Sequence, residues 1–240
     1  MAANHEQVCQ RPLSGEVVSP LPSGLIPSRG RHEGIAASLE AVDPERHAAE
    51  LFASSHGVSG DGELWRYMAY GPWPGVDAFR GWLRDCAAAH DPIFYAIRDS
   101  KSGTACGMAS YLNVVPKNGS IEIGHIWLAP ALQRTRAATE ALFLLMRHAM
   151  DDLRYRRLEW KCNALNDASR RAARRLGFRY EGTFHQHMIV KGRNRDTAWY
   201  AIMDHEWPAV RTNIAAWLAE DNFDAEGRQK RSLSEINRQG

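Results

Sequence analysis

The sequence predicts an α+β (mixed α/β) fold in which helices flank a central mixed, mostly antiparallel sheet. Three observations lead there. PIFYAIRD, TACGMASYLNVV and SIEIGHIWLAP are strand-like runs separated by turn signals at residues 99–103 and 116–119, which predicts an antiparallel meander. Leu142, Leu145, Met146, Ala149, Met150 and Leu153 then form one apolar helical stripe, and the strand-like RRLEWKCNA follows it. A strand, helix and strand in that order make a right-handed crossover onto a parallel neighbour. Finally, FRYEGTFHQHMIVK and DTAWYAIMD, joined by the turn at residues 192–194, predict a closing hairpin.

The remaining elements follow in chain order. Residues 1–32 hold Pro12, Pro20, Pro22 and Pro27 among Gly and Ser without periodicity, and read as a flexible leader. Residues 33–218 form the domain. GIAASLEAV is its first strand, and Asp43, Pro44 and Glu45 are a helix-start signature for a helix reaching about Ser54. In the irregular stretch 56–75, Trp65, Tyr67, Tyr70 and Trp73 either line a pocket or anchor the loop on the core. Phe79, Trp82, Leu83, Cys86 and Ala87 recur at helical spacing and predict a helix over residues 76–90. Residues 166–176 form a short helix capped by Asn166 and ended by Gly177. Trp207, Val210, Ile214, Trp217 and Leu218 mark a C-terminal helix with Asp204 as a candidate cap; residues 219–240 read as a polar tail that frays.

Composition narrows the function. With 240 residues, 44% hydrophobic and 24% charged, the chain is long enough to bury one large core. The formal charge of +2 gives no global drive toward nucleic acid or an anionic membrane. Cys9, Cys86, Cys106 and Cys162 form no CxxC and suggest neither a zinc ribbon nor a disulfide scaffold. No apolar run approaches the ~20 residues of a membrane span, and the first thirty residues lack a signal-peptide core, so the expected location is cytoplasmic. Neither GxxxxGK nor GxGxxG occurs, which removes the common nucleotide-binding rivals.

The chemistry concentrates in residues 121–139, IEIGHIWLAPALQRTRAAT, where a strand breaks at Pro130 and a polar loop opens a helix. The free N–H groups at such a helix start bind anions, so the loop reads as a phosphate cradle. Its residues Gln133, Arg134, Thr135, Arg136, Ala137 and Ala138 resemble the pyrophosphate-binding loop of the GNAT acetyltransferases, and Asn166, Asp167, Ala168 and Ser169 before Leu176, Gly177 and Phe178 supply a second matching motif. The resemblance spans about residues 33–205 and is best to the RimJ/RimL-like branch. It implies a sheet split by a V-shaped cleft, acetyl-CoA as acyl donor, and direct attack on the thioester by a primary amine of a protein N-terminus or small molecule. The arginine at 136 stands where the family carries its first glycine. It must therefore be helical, and its guanidinium is expected to pair with phosphate. By the same resemblance the pantetheine arm lies along the strand that includes Ile126, Trp127 and Leu128. Asn166 contacts that arm or simply caps its helix, and Ser169 lies near the sulfur as a candidate acid.

Transfer to an amine requires a base, because alkyl amines are mostly protonated at neutral pH. Glu122 and His125 are the candidates on the central strand. Three apart, they are expected on opposite faces, with only one entering the cleft. Glu122 is preferred, since His125 alternates with Ile121, Ile123 and Trp127 and also reads as a core histidine. His185, His187, Tyr180 and Tyr200 are further proton carriers to consider. His185 and His187 share a strand face with no third ligand fixed nearby, so no metal is expected. Arg170, Arg171, Arg174 and Arg175 form a basic helix face, either solvated or suited to RNA phosphates. The alternative function is accordingly an RNA- or ribosome-associated binding protein with weak or no catalysis. Otherwise the expected partner is an amine acceptor, with no membrane or nucleic acid, in a monomer or homodimer.

Overall fold

The computed structural model describes residues 15, 17–57 and 61–239. Its chain runs β1 (His32–Glu33), β2 (Ala37–Ala41), α1 (Pro44–Ser55), α2 (Asp61–Trp65), α3 (Val76–Ala88), β3 (Ile93–Asp99), β4 (Ala105–Val115) and β5 (Ser120–Leu128). There follow α4 (Arg136–Arg147), β6 (Arg157–Asn163), α5 (Asp167–Arg175), β7 (Arg179–Val190), β8 (Arg193–Met203), α6 (Trp207–Leu218) and α7 (Leu233–Gln239). The strands form one sheet in the order β1-β2-β3-β4-β5-β6-β8-β7. Only β5 and β6 pair in parallel; the other neighbours are antiparallel. This is the α+β architecture that the sequence predicts.

Local chemistry sets the helix starts. The Asp43 carboxylate accepts from the N–H groups of Glu45 and Arg46 at 2.9 and 3.2 Å, with Pro44 at the first helical position. Thr135 Oγ1 accepts from Ala138 N at 3.1 Å and starts α4. Helix α4 is buried from Ala137 through Met146, Glu140 included. The Glu140 carboxylate takes the N–H groups of Ile35, Ala36 and Ala37 at 3.1, 2.5 and 2.8 Å, tying the start of β2 to the helix. Position 34 must be glycine for this, because a Cβ there would lie 2.5 Å from the carboxyl carbon.

The feature that creates a site is the early parting of β5 from β6. They pair only through Ser120–Arg157, Ile121–Leu158 and Glu122–Glu159, then splay into a V-shaped cleft. Opposite Ala109 on β4, β5 carries two residues, His125 and Ile126, where the ladder steps from Gly124 to Trp127. This bulge places His125 in the left-handed conformation at φ 50°. The alternation reverses across it: Ile121 and Ile123 enter the core under α4, whereas Trp127 enters the second core with Phe79, Leu83 and Phe94. His125 packs against Tyr70 and Phe94 of that second layer. The expectation that Glu122 and His125 face opposite sides is therefore corrected, since the bulge cancels the odd spacing.

Both ends of the domain depart from expectation. In the leader, Ser23 Oγ donates to Leu153 O at 2.5 Å, Tyr155 OH to Leu25 O at 2.8 Å and Tyr95 OH to Ser28 O at 2.7 Å, with Pro27 buried. The described residues of the leader are thus tied to the body; residues 1–14 and 16 lie outside the described residues. The tail does not fray either: Phe223 pairs with Gln229, and α7 buries Leu233 and Ile236 against α5 and α6. Asp204 does not cap α6, whose cap position is Glu206. No helix among the described residues is long and apolar enough to cross a membrane.

Candidate active site

Where β5 and β6 part, a cavity of about 150 Å³ opens, lined by Glu122, His125, Ile126, Lys161, Ser169 and Arg195 among others. Both candidate bases therefore reach the same cavity. Glu122 is 4% exposed and accepts from Asn113 Nδ2 at 2.7 Å and from Lys161 Nζ at 2.8 Å. Lys161 also meets Glu159 at 2.9 Å, and Arg157 binds Glu159 at 2.6 Å and Glu181 at 2.5 Å. Burial raises the Glu122 pKa, against the opposing pull of Lys161 and Asn113. A carboxylate so held takes up protons more readily than an exposed one.

His125 is a different group. Its Nδ1 lies 3.2 Å from Tyr70 OH and its ring stacks on that tyrosine, with centroids 5.6 Å apart. Burial, assisted by the Arg195 charge, lowers its pKa to about 4. It is neutral at pH 7 and a weak base. On the α5 side, Ser169 Oγ accepts from Trp160 Nε1 at 3.0 Å, and the nearby Cys162 thiol has its pKa raised by burial. Asn166 Oδ1 accepts from Ser169 N at 3.1 Å, so Asn166 caps α5 and lines the cavity at once.

A groove of about 1380 Å³ lies next along the same two elements: Ile126 and Ser169 line the cavity, and Leu128 on β5 with Ala172 and Arg175 on α5 line the groove. The loop of residues 133–138 forms its wall. Gln133 Nε2 donates to Leu128 O at 2.9 Å, Arg134 takes the left-handed conformation at φ 63°, and Arg136 is the first residue of α4. The α4 first-turn N–H groups of Arg136 and Ala137 have no intrahelical acceptors, while Thr135 takes that of Ala138.

Two arginines border the groove and are held by different partners. The Arg136 guanidinium donates to Leu218 O and lies 4.9 Å from the Phe223 ring centre, which commits it to the C-terminal segment. Arg136 also lines the groove, and its backbone stands at the helix start. Arg175, read from sequence as part of a basic face, lines the groove as well. It donates to Thr139 Oγ1 at 3.0 Å and stacks over Trp217 at 4.5 Å. No carboxylate pairs with it among the described residues, and burial alone lowers its pKa. The sequence signal was there: Arg175 follows the Ala172, Ala173, Leu176 face closely enough to be drawn inward. Arg170, its neighbour on α5, is held by Asp167, the Ala164 carbonyl and Tyr200.

The Trp127 side chain enters the second core. It is 2% exposed and packs at 5.3 Å from Trp65, so only its backbone belongs to the β5 edge. Trp65, Tyr70 and Trp73 anchor the early loop, Trp65 meeting Trp73 edge-on at 5.1 Å and Tyr70 meeting Trp82 at 4.6 Å. Tyr67 lines the cavity instead, and its OH donates to Leu165 O at 3.0 Å. Lys191, at the hairpin turn, reaches Trp65 O and Gly71 O at 3.0 and 2.7 Å, so the loop arches over the cavity between two fixed points.

The remaining proton carriers lie elsewhere. His185 pairs with Asp196 at 3.0 Å and His187 with Thr197 Oγ1 at 3.0 Å, on the exposed β7. Tyr180 bonds Thr183 at 2.8 Å, and Tyr200 is buried beneath α5. Among the described residues no group of three or more His, Cys, Asp or Glu side chains is placed to hold a metal ion.

Comparison with known proteins agrees with this geometry. Residues 38–179 match the family model of the acetyltransferase (GNAT) domain. A GCN5-related N-acetyltransferase from Brucella melitensis is 43% identical, with a TM-score of 0.89 over 92% of this chain and 99% of that one. A probable GNAT-family acetyltransferase from Chromobacterium violaceum is 40% identical, with a TM-score of 0.75 over 83% and 99%. The RimL ribosomal L7/L12 α-N-protein acetyltransferase shares the fold at 24% identity and a TM-score of 0.61, over 71% and 91%. No curated protein matches the chain. With its family model, its split sheet and its loop at the start of α4 in agreement, the chain belongs to the GNAT acetyltransferases.

Proposed function

We propose that this protein moves the acetyl group of acetyl-CoA directly to a primary amine in a ternary complex, in the manner of the RimJ/RimL-like branch. The observation that carries the reading is the pair of cavities that follow one another along β5 and α5, one at Glu122 and one at Arg175, beside the point where β5 leaves β6. The residues fit the donor. The first-turn amides of α4 and the carboxylate-free Arg175 suit phosphates, and the β5 edge without a ladder partner suits an amide-bearing arm. Acetyl-CoA supplies the electrophilic carbonyl and the thiolate leaving group when bound.

The chain supplies the rest. Glu122 takes a proton from the acceptor ammonium, and Lys161 and Asn113 hold its carboxylate in place. The Ser169 hydroxyl has its oxygen fixed by Trp160 and keeps a proton to offer at the sulfur. His125 and Tyr70 shape the apolar wall. Since Arg170 and Arg175 are engaged within the fold, donor binding accounts for the α5 arginines better than RNA contact does. The acceptor is a protein N-terminus or a small-molecule amine, and the compartment is the cytoplasm.

Thiol release from acetyl-CoA across a panel of amines tests the reading. Intersecting initial-velocity patterns with a preferred amine are expected. Parallel patterns would contradict direct attack, and a rate indifferent to every amine would contradict amine acetylation.

A further inference from the structure

Neither donor binding nor deprotonation uses Arg195. This residue sits on β8 one step along the same face from Thr197, the partner of Asn163, and lines the cavity at the mouth of the V. It lines that cavity together with Glu122 and His125 of β5 and Cys162 of β6, and its charge acts on all three. Its Nε is closed to solvent and has no acceptor among the described residues.

The nearby carboxylates have other partners, and none of them bonds Arg195 among the described residues. Glu122 holds Lys161 and Asn113, Glu159 holds Lys161 and Arg157, and Asp196 takes His185, Asn194 and the Gln186 N–H. A guanidinium nitrogen closed to water without an acceptor is costly, and an anion bound at the group would offset that cost. The same cavity of about 150 Å³ thus presents a carboxylate at Glu122 and an unpaired cation at Arg195. Those two charges complement a small zwitterion, amine end toward Glu122.

We infer that Arg195 selects the acceptor by binding a carboxylate carried on the same small molecule as the reacting amine. The acceptor class is then free amino acids and related amino-carboxylates. A diamine would bring a second cation against Arg195, and a peptide N-terminus lacks the adjacent carboxylate. This inference rests on the acetyl-transfer reading above and specifies its acceptor.

The test compares L-alanine, L-methionine and L-phenylalanine with their α-amides and with putrescine, in the unaltered protein and in Arg195→Gln and Arg195→Lys. The best acid is expected to exceed its amide in kcat/KM by about tenfold or more, as for a charge-assisted contact. In Arg195→Gln that ratio should fall toward one, mainly through KM, with partial recovery in Arg195→Lys. Ligand-observed NMR of the same pairs on the CoA-loaded protein provides a readout independent of transfer. Carboxylate-selective binding lost in Arg195→Gln, but without turnover, would support Arg195 and count against acetyl transfer. Preferred transfer to amides or putrescine, equal binding of acid and amide, or an unchanged ratio in Arg195→Gln would each overturn the assignment and leave acetyl transfer standing.

Discussion

Replacing Arg175 by Met should damage donor binding while leaving the free protein intact. Thr139 takes one of the guanidinium's five donors and Trp217 fixes its plane, which leaves donors for a phosphate in the groove. Hydrogen bonds to charged groups are worth about 1.5–3 kcal/mol, so acetyl-CoA should bind roughly 10- to 150-fold more weakly. Methionine keeps an apolar stem against Trp217, and removing a cation that burial already disfavours should shift stability by under about 1 kcal/mol. Arg136→Met is the control. It loses the Leu218 carbonyl and the Phe223 ring, so it should cost about 1–2 kcal/mol of stability and leave donor affinity within about threefold. Isothermal titration with acetyl-CoA and urea unfolding measure the two effects. Affinity unchanged in Arg175→Met, or a tenfold loss confined to Arg136→Met, would refute this division of roles.

Other substitutions probe the catalytic strand and the core. Burial raises the Glu122 pKa, and only its ionised form accepts a proton, so the acidic limb of kcat/KM should lie above the ordinary carboxylate range; Glu122→Gln should lower turnover by about 10²-fold or more. A full rate with the same limb would remove Glu122 as base. His125 falls from 6.5 to about 4 on folding, so the unfolded chain binds more protons between those values and stability is lost as pH falls through them, by an amount on the order of 3 kcal/mol. In urea titrations His125→Phe should flatten that loss, and an identical pH dependence would contradict it. Glu140→Gln should destabilise by about 2–4 kcal/mol, because a charged acceptor for three backbone N–H groups is lost; a change under about 0.5 kcal/mol would show that the tie to β2 is dispensable.

Periodicity and caps carry the fold. The Asp43 and Asn166 starts, the α4 stripe and the crossover to β6 all depend on residues near one another in the chain, and all appear where the pattern places them. What escapes the pattern depends on distant partners. A bulge at His125, beside the strand glycine Gly124, reverses which face its neighbours take, and the strand pattern alone does not show that reversal. The direction of an arginine is set by what lies opposite: Leu218 and Phe223 hold Arg136 toward the C-terminal segment, while Thr139 and Trp217 hold Arg175 over the groove. The C-terminal segment looked too polar to pack, yet Phe223, Leu233 and Ile236 suffice once α5 and α6 provide a surface. Tyr67 was among four aromatic residues with the same sequence context, and only the arch to Leu165 separates it from the three that anchor.

The claim on which the rest depends is that the cleft between β5 and β6 holds the acyl donor although arginine stands at position 136. Calorimetric titration of the unaltered protein with acetyl-CoA, and separately with CoA, tests it most directly. Saturable one-to-one binding of both at micromolar concentration is the predicted result. Absence of heat or saturation at millimolar donor would contradict it, for then the split sheet and the α4 helix start would share the family's shape without its ligand.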